Sequence, residues 1–166
     1  MVEKAGREDI EALVKMRLAY LTQDHGGLSE HEGITIQREL PGYFQAHLGK
    51  DLFAYVIREG RAIVSCALLL VTEKPMSPAF LNGRTGTVLN VYTCPAYRHR
   101  GYARMIMEML LTEAKELGLS VVELKSTEDG YRLYQSVGFA DDASKYQRMV
   151  NTPFDFSMKS RKRICA

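Results

Sequence analysis

Val88-Leu89-Asn90-Val91-Tyr92-Thr93-Cys94-Pro95-Ala96-Tyr97-Arg98-His99-Arg100-Gly101-Tyr102-Ala103 is the stretch on which the fold turns. A β-branched strand runs into a proline and then a basic, glycine-containing turn. That turn opens directly onto a long helical pattern starting at Tyr102. Such a strand–turn–helix aims several backbone N–H groups and the positive end of a helix dipole at one point. It is built for a phosphate or pyrophosphate.

Outward from this stretch the pattern stays regular. Tyr102 to Leu117 is the longest amphipathic helix, with Ile106, Met109, Leu110 and Ala114 toward a core and Gly118 as its stop. Met105 and Met107 follow the same helical pattern and read as packing residues. Val121–Lys125 then gives a strand–helix–strand crossover, so it should lie parallel to the strand Thr85–Thr93. Upstream, Leu52–Arg58 and Ala62–Thr72 form a hairpin about Glu59-Gly60. Val2–Ala5 is a short first strand, Glu8–Leu21 a helix and Thr22–Gly33 a loop. Ile34–Leu48 is helical but broken at Pro41-Gly42, and Glu73–Arg84 is a loop. Downstream come a short helix, Asp129–Val137, stopped by Gly138, and a last strand, Tyr146–Val150. Antiparallel hairpins followed by a parallel crossover describe a mixed sheet with helices on both faces.

Composition bounds the function. The 166 residues suit one domain over 1–158, followed by a basic, frayed tail over 159–166. Net charge is +2, yet setting aside Lys159, Arg161, Lys162 and Arg163 leaves more acids than bases. No basic footprint for nucleic acid results. The longest apolar run, Ala62–Val71, is too short to span a bilayer. The N-terminus carries an acid and no apolar signal, and Cys66, Cys94 and Cys165 match neither a zinc site nor a disulfide frame. A reducing cytoplasm, without membrane attachment or metal, is the expectation.

Taken alone, Arg98–Ala103 also fits an ordinary helix N-terminus with solvated arginines. The second motif, Gly130-Tyr131-Arg132-Leu133-Tyr134-Gln135-Ser136-Val137-Gly138-Phe139, decides the matter. Arg-x-x-Gly-x-Ala followed some thirty residues later by Leu-Tyr-x-x-x-Gly-Phe resembles the GNAT superfamily of acyl-CoA-dependent N-acyltransferases. The order of elements agrees from about Val2 to Val150. Asn90 before Val91-Tyr92-Thr93 is similar to the form in ribosomal-protein N-terminal acetyltransferases and many bacterial relatives.

The resemblance implies a mixed α/β (α+β) fold. Its sheet is mostly antiparallel, with six to seven strands, a central parallel pair splayed at a bulge, and helices on both faces. It also implies acetyl-CoA as co-substrate and an amine as acceptor, and a homodimer is the family habit. Arg98, His99, Arg100, Gly101, Tyr102 and Ala103 would wrap the pyrophosphate. Val91, Tyr92 and Thr93 would run beside the pantetheine arm, with Ser126 or Thr127 near it; relatives often have Asn where Thr127 stands. Tyr134 matches the family tyrosine that protonates the departing thiolate.

An amine must lose a proton before it attacks a thioester, because a free alkylamine is mostly protonated at pH 7. The route therefore needs a base, an oxyanion donor such as the Val91 N–H, and an acid for sulfur. Many relatives carry Glu on the central strand, but Thr87-Val88-Leu89-Asn90-Val91-Tyr92 has no acid. Glu73 is the nearest carboxylate in the pattern; a water relay through Asn90 or Tyr92 is the alternative, and a solvated strand-end charge is the plainer reading of Glu73.

Other residues carry less. Cys94, before a proline and without a partner, reads as a small buried filler. His25, His31, His47 and His99 lack ligand spacing, though His25 and His31 fall in the loop bordering the acceptor. Asp24, Glu30 and Glu32 would make that entrance acidic and suit a cationic amine. A non-catalytic acyl-CoA sensor on the same fold is the rival to an enzyme, and a nucleic-acid module using the tail ranks last.

Overall fold

The computed structural model describes residues 1–142 and Asn151. Its elements are β1 (Val2–Lys4), α1 (Ile10–Asp24), α2 (Glu30–His47), β2 (Leu52–Glu59), β3 (Ala62–Glu73), β4 (Arg84–Thr93), α3 (Tyr102–Glu116), β5 (Val121–Glu123) and α4 (Glu128–Ser136). Short 3-10 turns at Arg7–Asp9 and Pro95–Tyr97 lead into α1 and toward α3. The sheet order is β1-β2-β3-β4-β5, antiparallel except for the β4–β5 pair. The expected strand Tyr146–Val150 and the basic tail lie outside the described residues, so the sheet here has five strands rather than six to seven.

Side-chain alternation on β2 and β3 produces two apolar layers. Leu52, Ala54, Val56, Cys66 and Leu68 pack with Leu13, Val14 and Met16 of α1 and Phe44 of α2. On the other face Tyr55, Ile57, Ala67, Leu69 and Val88 meet Ile106, Met107, Leu110 and Ala114 of α3. Met107 therefore takes the core place expected of Met109, which is 40% exposed on the flank of the stripe. Gly101 opens α3 in a left-handed conformation (φ 76°), and Gly118 (φ 69°) follows its end.

Two sequence expectations need correction. The loop expected over 22–33 shrinks, because α1 continues to Asp24 and α2 begins at Glu30. The cause is a capping box: the Ser29 hydroxyl accepts from the Glu32 N–H at 3.3 Å, and Glu32 accepts from the Ser29 N–H at 2.8 Å. Nor does Pro41-Gly42 divide α2, which runs unbroken to His47. Proline removes one bond to the carbonyl of Gln37, and Gln37 is exposed, so water can satisfy it. Phe44, 1% exposed in the core, holds the following turn in place. Among the described residues, no helix is long and apolar enough to cross a membrane.

Candidate active site

The site begins with a defect in β4. Leu68 of β3 faces Leu89, but Cys66 faces Tyr92, so Asn90 and Val91 together stand opposite Ala67. This is a β-bulge, which bends the strand and frees part of its edge. Asn90 is left-handed (φ 55°), a conformation that Asn tolerates better than most side chains. Its buried amide is fixed at both ends: Arg17 Nη1 donates to Oδ1 at 3.3 Å, and Nδ2 donates to Cys66 Sγ at 3.3 Å.

A second feature widens the break. Pairing between β4 and β5 stops at Thr87 opposite Glu123. Beyond that point the chain after β5 leaves β4 and enters α4, capped by the Thr127 hydroxyl, which accepts from the Gly130 N–H at 3.3 Å. The expected strand Val121–Lys125 is accordingly two residues shorter. A cleft of about 650 Å³ opens between the parting strands. Thr87–Val91 form one wall, and Glu123, Leu124, Lys125, Thr127 and Tyr134 the other. Arg17, Tyr20, Leu21, Asp24 and His25 of α1 close it.

Burial sets the electrostatics. It pushes the Tyr134 phenol up to about 12, with Tyr20 adding a smaller push in the same direction. Tyr20 itself is raised by burial and then by Asp24, while burial lowers the Arg17 guanidinium below its usual range. Tyr134 is therefore a protonated O–H donor throughout the working pH range. Its ring meets Phe139 edge-on at 6.1 Å, so the Gly138-Phe139 stop of α4 also orients the phenol.

Of the residues singled out from the sequence, Asp24, His25, Asn90, Val91, Thr127 and Tyr134 meet in this cleft. Ser126 faces the adjoining groove beyond β5 and donates to the Thr127 carbonyl at 2.6 Å. Tyr92 and Thr93 continue β4 past the cleft toward the turn. There the Arg98 guanidinium folds back on the protein: Nε donates to the Thr93 carbonyl at 3.1 Å, Nη2 donates to Gln23, and the group lies 5.9 Å from the Tyr92 ring. Arg100 stacks over Tyr97 at 5.0 Å, and the Tyr102 hydroxyl donates to Glu59.

The turn backbone is another matter. His99 (φ 62°) and Gly101 (φ 76°) are both left-handed. The first N–H to bond inside α3 is that of Met105, to the Gly101 carbonyl at 3.1 Å. The N–H groups of Tyr102, Ala103 and Arg104 thus precede the helical ladder, and no side chain caps them. A Cβ built on Gly101 would meet no atom within 4 Å. The geometry leaves open room for an anion exactly where the helix dipole favours one.

Glu73 stands apart. It is exposed, faces Arg84 at the start of β4, and lies six residues, about 20 Å, from Asn90 along the strand. The cleft carboxylates are instead Asp24 and Glu123, the latter accepting from the Thr87 hydroxyl at 3.3 Å. Cys94 is half-buried with its thiol 3.8 Å from Met16 Sδ, a packing position. His25 borders the cleft, His31 is exposed on α2, and His47 bonds Asp51 at 2.9 Å. Sequence reasoning missed Arg17, Tyr20 and Glu123. The available signal was Arg17 itself, a charge set between Val14 and Leu21 in an otherwise apolar stripe.

The comparisons with known proteins agree with this geometry. The family model described as acetyltransferase (GNAT) family matches residues 15–139, three quarters of the chain. A predicted acetyltransferase from Clostridium acetobutylicum, crystallised with acetyl-CoA, is 28% identical with a TM-score of 0.78, over 90% of this chain and 95% of that one. A GCN5-related N-acetyltransferase from Ralstonia eutropha JMP134 is 23% identical with a TM-score of 0.69, over 90% and 97%, a likeness of fold. No curated protein matches. A bulged strand parting from its parallel neighbour, a glycine-opened helix beyond it and a matching family model together assign the chain to the acetyltransferase (GNAT) family.

Proposed function

We propose that the protein moves an acetyl group from acetyl-CoA to a primary amine by direct attack. The observation that carries this reading is the freed edge of β4 at Val88–Val91, with Tyr134 across the cleft and the open turn at one end. An extended pantetheine arm, with its own amides, pairs with such an edge as an added strand would. The pyrophosphate then meets the N–H groups at the start of α3, and because Arg98 is occupied by Gln23 and Thr93, backbone rather than that guanidinium does the cradling.

The Val91 N–H polarises the thioester carbonyl. The neutral amine attacks, the C–N bond forms and the C–S bond breaks, and the amine's surplus proton leaves through water held near Asn90. Tyr134 donates its phenolic hydrogen to the departing sulfur and is reprotonated from solvent. Asp24 and Glu123, rather than distant Glu73, are the cleft carboxylates that water could reach. The free thiols Cys66 and Cys94 support work in the reducing cytoplasm.

Acetyl-CoA with a panel of amines tests the reading through thiol release. Tyr134→Phe is expected to lower turnover by roughly 10²–10⁴-fold while the affinity for CoA holds. If acetyl-CoA binds and no amine is acylated, the sensor reading replaces this one.

A further inference from the structure

Arg17 has a task that acetyl-CoA binding does not explain. Some guanidiniums here find carboxylates, Arg58 pairing with Asp9 at 2.7 Å and Arg38 with Glu39 at 2.7 Å, while Arg98 is held by Gln23 and the Thr93 carbonyl. Arg17 is half-buried in the cleft wall, yet among the described residues no carboxylate lies within 4.0 Å of it. Its contacts are Asn90 Oδ1 at 3.3 Å and the Tyr20 ring at 5.6 Å. A guanidinium carries five N–H donors in a fixed fork, so most of them remain for something in the cleft. A partly desolvated cation of this shape is best matched by a planar or tetrahedral oxyanion.

Its position narrows the choice. Arg17 touches Asn90, the residue beside Val91, where the transferase reading puts the thioester carbonyl. The nearest acid on the same helix face, Asp24, is seven residues further along α1, about 10 Å down the axis. The other charges of the cleft, Asp24, Glu123 and Lys125, come from the end of α1 and from β5 and the chain after it, whereas Arg17 is the charge bonded to Asn90 in the bulge. A polyamine would bring a second ammonium against Arg17, an unfavourable pairing.

Resting on the transferase reading, we propose that Arg17 docks an anionic group of the acceptor, a carboxylate or a phosphate a few bonds from the amine that is acetylated. Acceptors are then amino acids or aminoalkyl phosphates rather than simple alkylamines or polyamines. Arg17 is a specificity-determining residue in this account and takes no part in bond making.

Steady-state thiol release tests this on matched pairs: α-amino acids beside their amides, and aminoalkyl phosphates beside aminoalkyl alcohols. A charge-assisted bond predicts kcat/KM about 10–100-fold higher for the anionic member of one pair, carried mainly in KM. Which pair shows the preference identifies the anion. Arg17→Gln should bring the anionic member down to parity with its neutral partner, and Arg17→Lys should restore part of the difference. CoA affinity of the variants reports their folding. Neutral members turned over as fast as anionic ones, or a preference that survives Arg17→Gln, overturns the proposal alone. No transfer to any member while acetyl-CoA binds overturns the transferase reading and the proposal with it.

Discussion

The two halves of β4 differ in almost every physical respect. From Thr85 to Thr87 the strand has neighbours on both sides, β3 and β5, and Gly86 is so tightly enclosed that a Cβ would meet Leu119 and Leu69 carbons at 2.8 Å. From Val88 to Thr93 the parallel neighbour is gone, the register slips by one residue, and a non-glycine residue turns left-handed. The first half is scaffold. The second exposes backbone donors and acceptors that a regular sheet would have consumed, and it does so next to a cleft. Function here comes from interrupting the ladder at a controlled place.

Perturbing the two halves should give unlike results. The largest effect on activity belongs to the broken half. Asn90→Ala places a Cβ-bearing residue without a local amide in the left-handed region, at a cost of about 1–2 kcal/mol, and leaves Arg17 and Cys66 without their partner. Chemical denaturation should show that loss, together with a fall in acetyl transfer. Asn90→Gly accepts the same φ, so it should recover much of the stability and little of the activity. Equal stability of the two variants would mean that the bulge conformation is not what Asn90 supplies.

In the paired half, Gly86→Val overpacks the space beside Leu69 and Leu119 and should cost about 1–3 kcal/mol of stability. Its KM for acetyl-CoA should stay near that of the parent, since Gly86 does not line the cleft. A KM that rises more than the stability loss explains would join the two halves into one functional unit.

The smallest effect is one of pH. Tyr55 is fully buried under α3, and burial, then Glu113, pushes its phenol well above the ordinary 10. The folded state favours the neutral form, so this contribution is complete below about pH 10 and is lost as pH rises through and beyond it. Tyr55→Phe should flatten part of the alkaline decline in stability and leave the neutral-pH cleft chemistry alone. An unchanged alkaline limb would contradict that assignment.

Much of this was legible in the sequence because it is local. Glycine punctuation and apolar spacing marked the β2–β3 hairpin, β4, α3 and the short helix bearing Tyr134. What escaped depends on long-range placement. A capping box at Ser29 and an anchor at Phe44 extended α2 through Pro41, against the local signal. One partner of Arg98, Gln23 of α1, lies 75 positions away, so the turn looked more cationic than its geometry makes it. Glu73 seemed near the chemistry only because sequence does not reveal that it joins the paired end of β4. Arg17 sat in an apolar stripe, and only the bulge across from it explains why a charge is tolerated there.

Amide hydrogen exchange with and without acetyl-CoA tests the central claim most directly. The account predicts new protection in β4 over 88–93 and at the start of α3 over 101–104, with little change over 84–87, whose amides are already paired. Acetyl-CoA that binds while leaving 88–93 unprotected would contradict it.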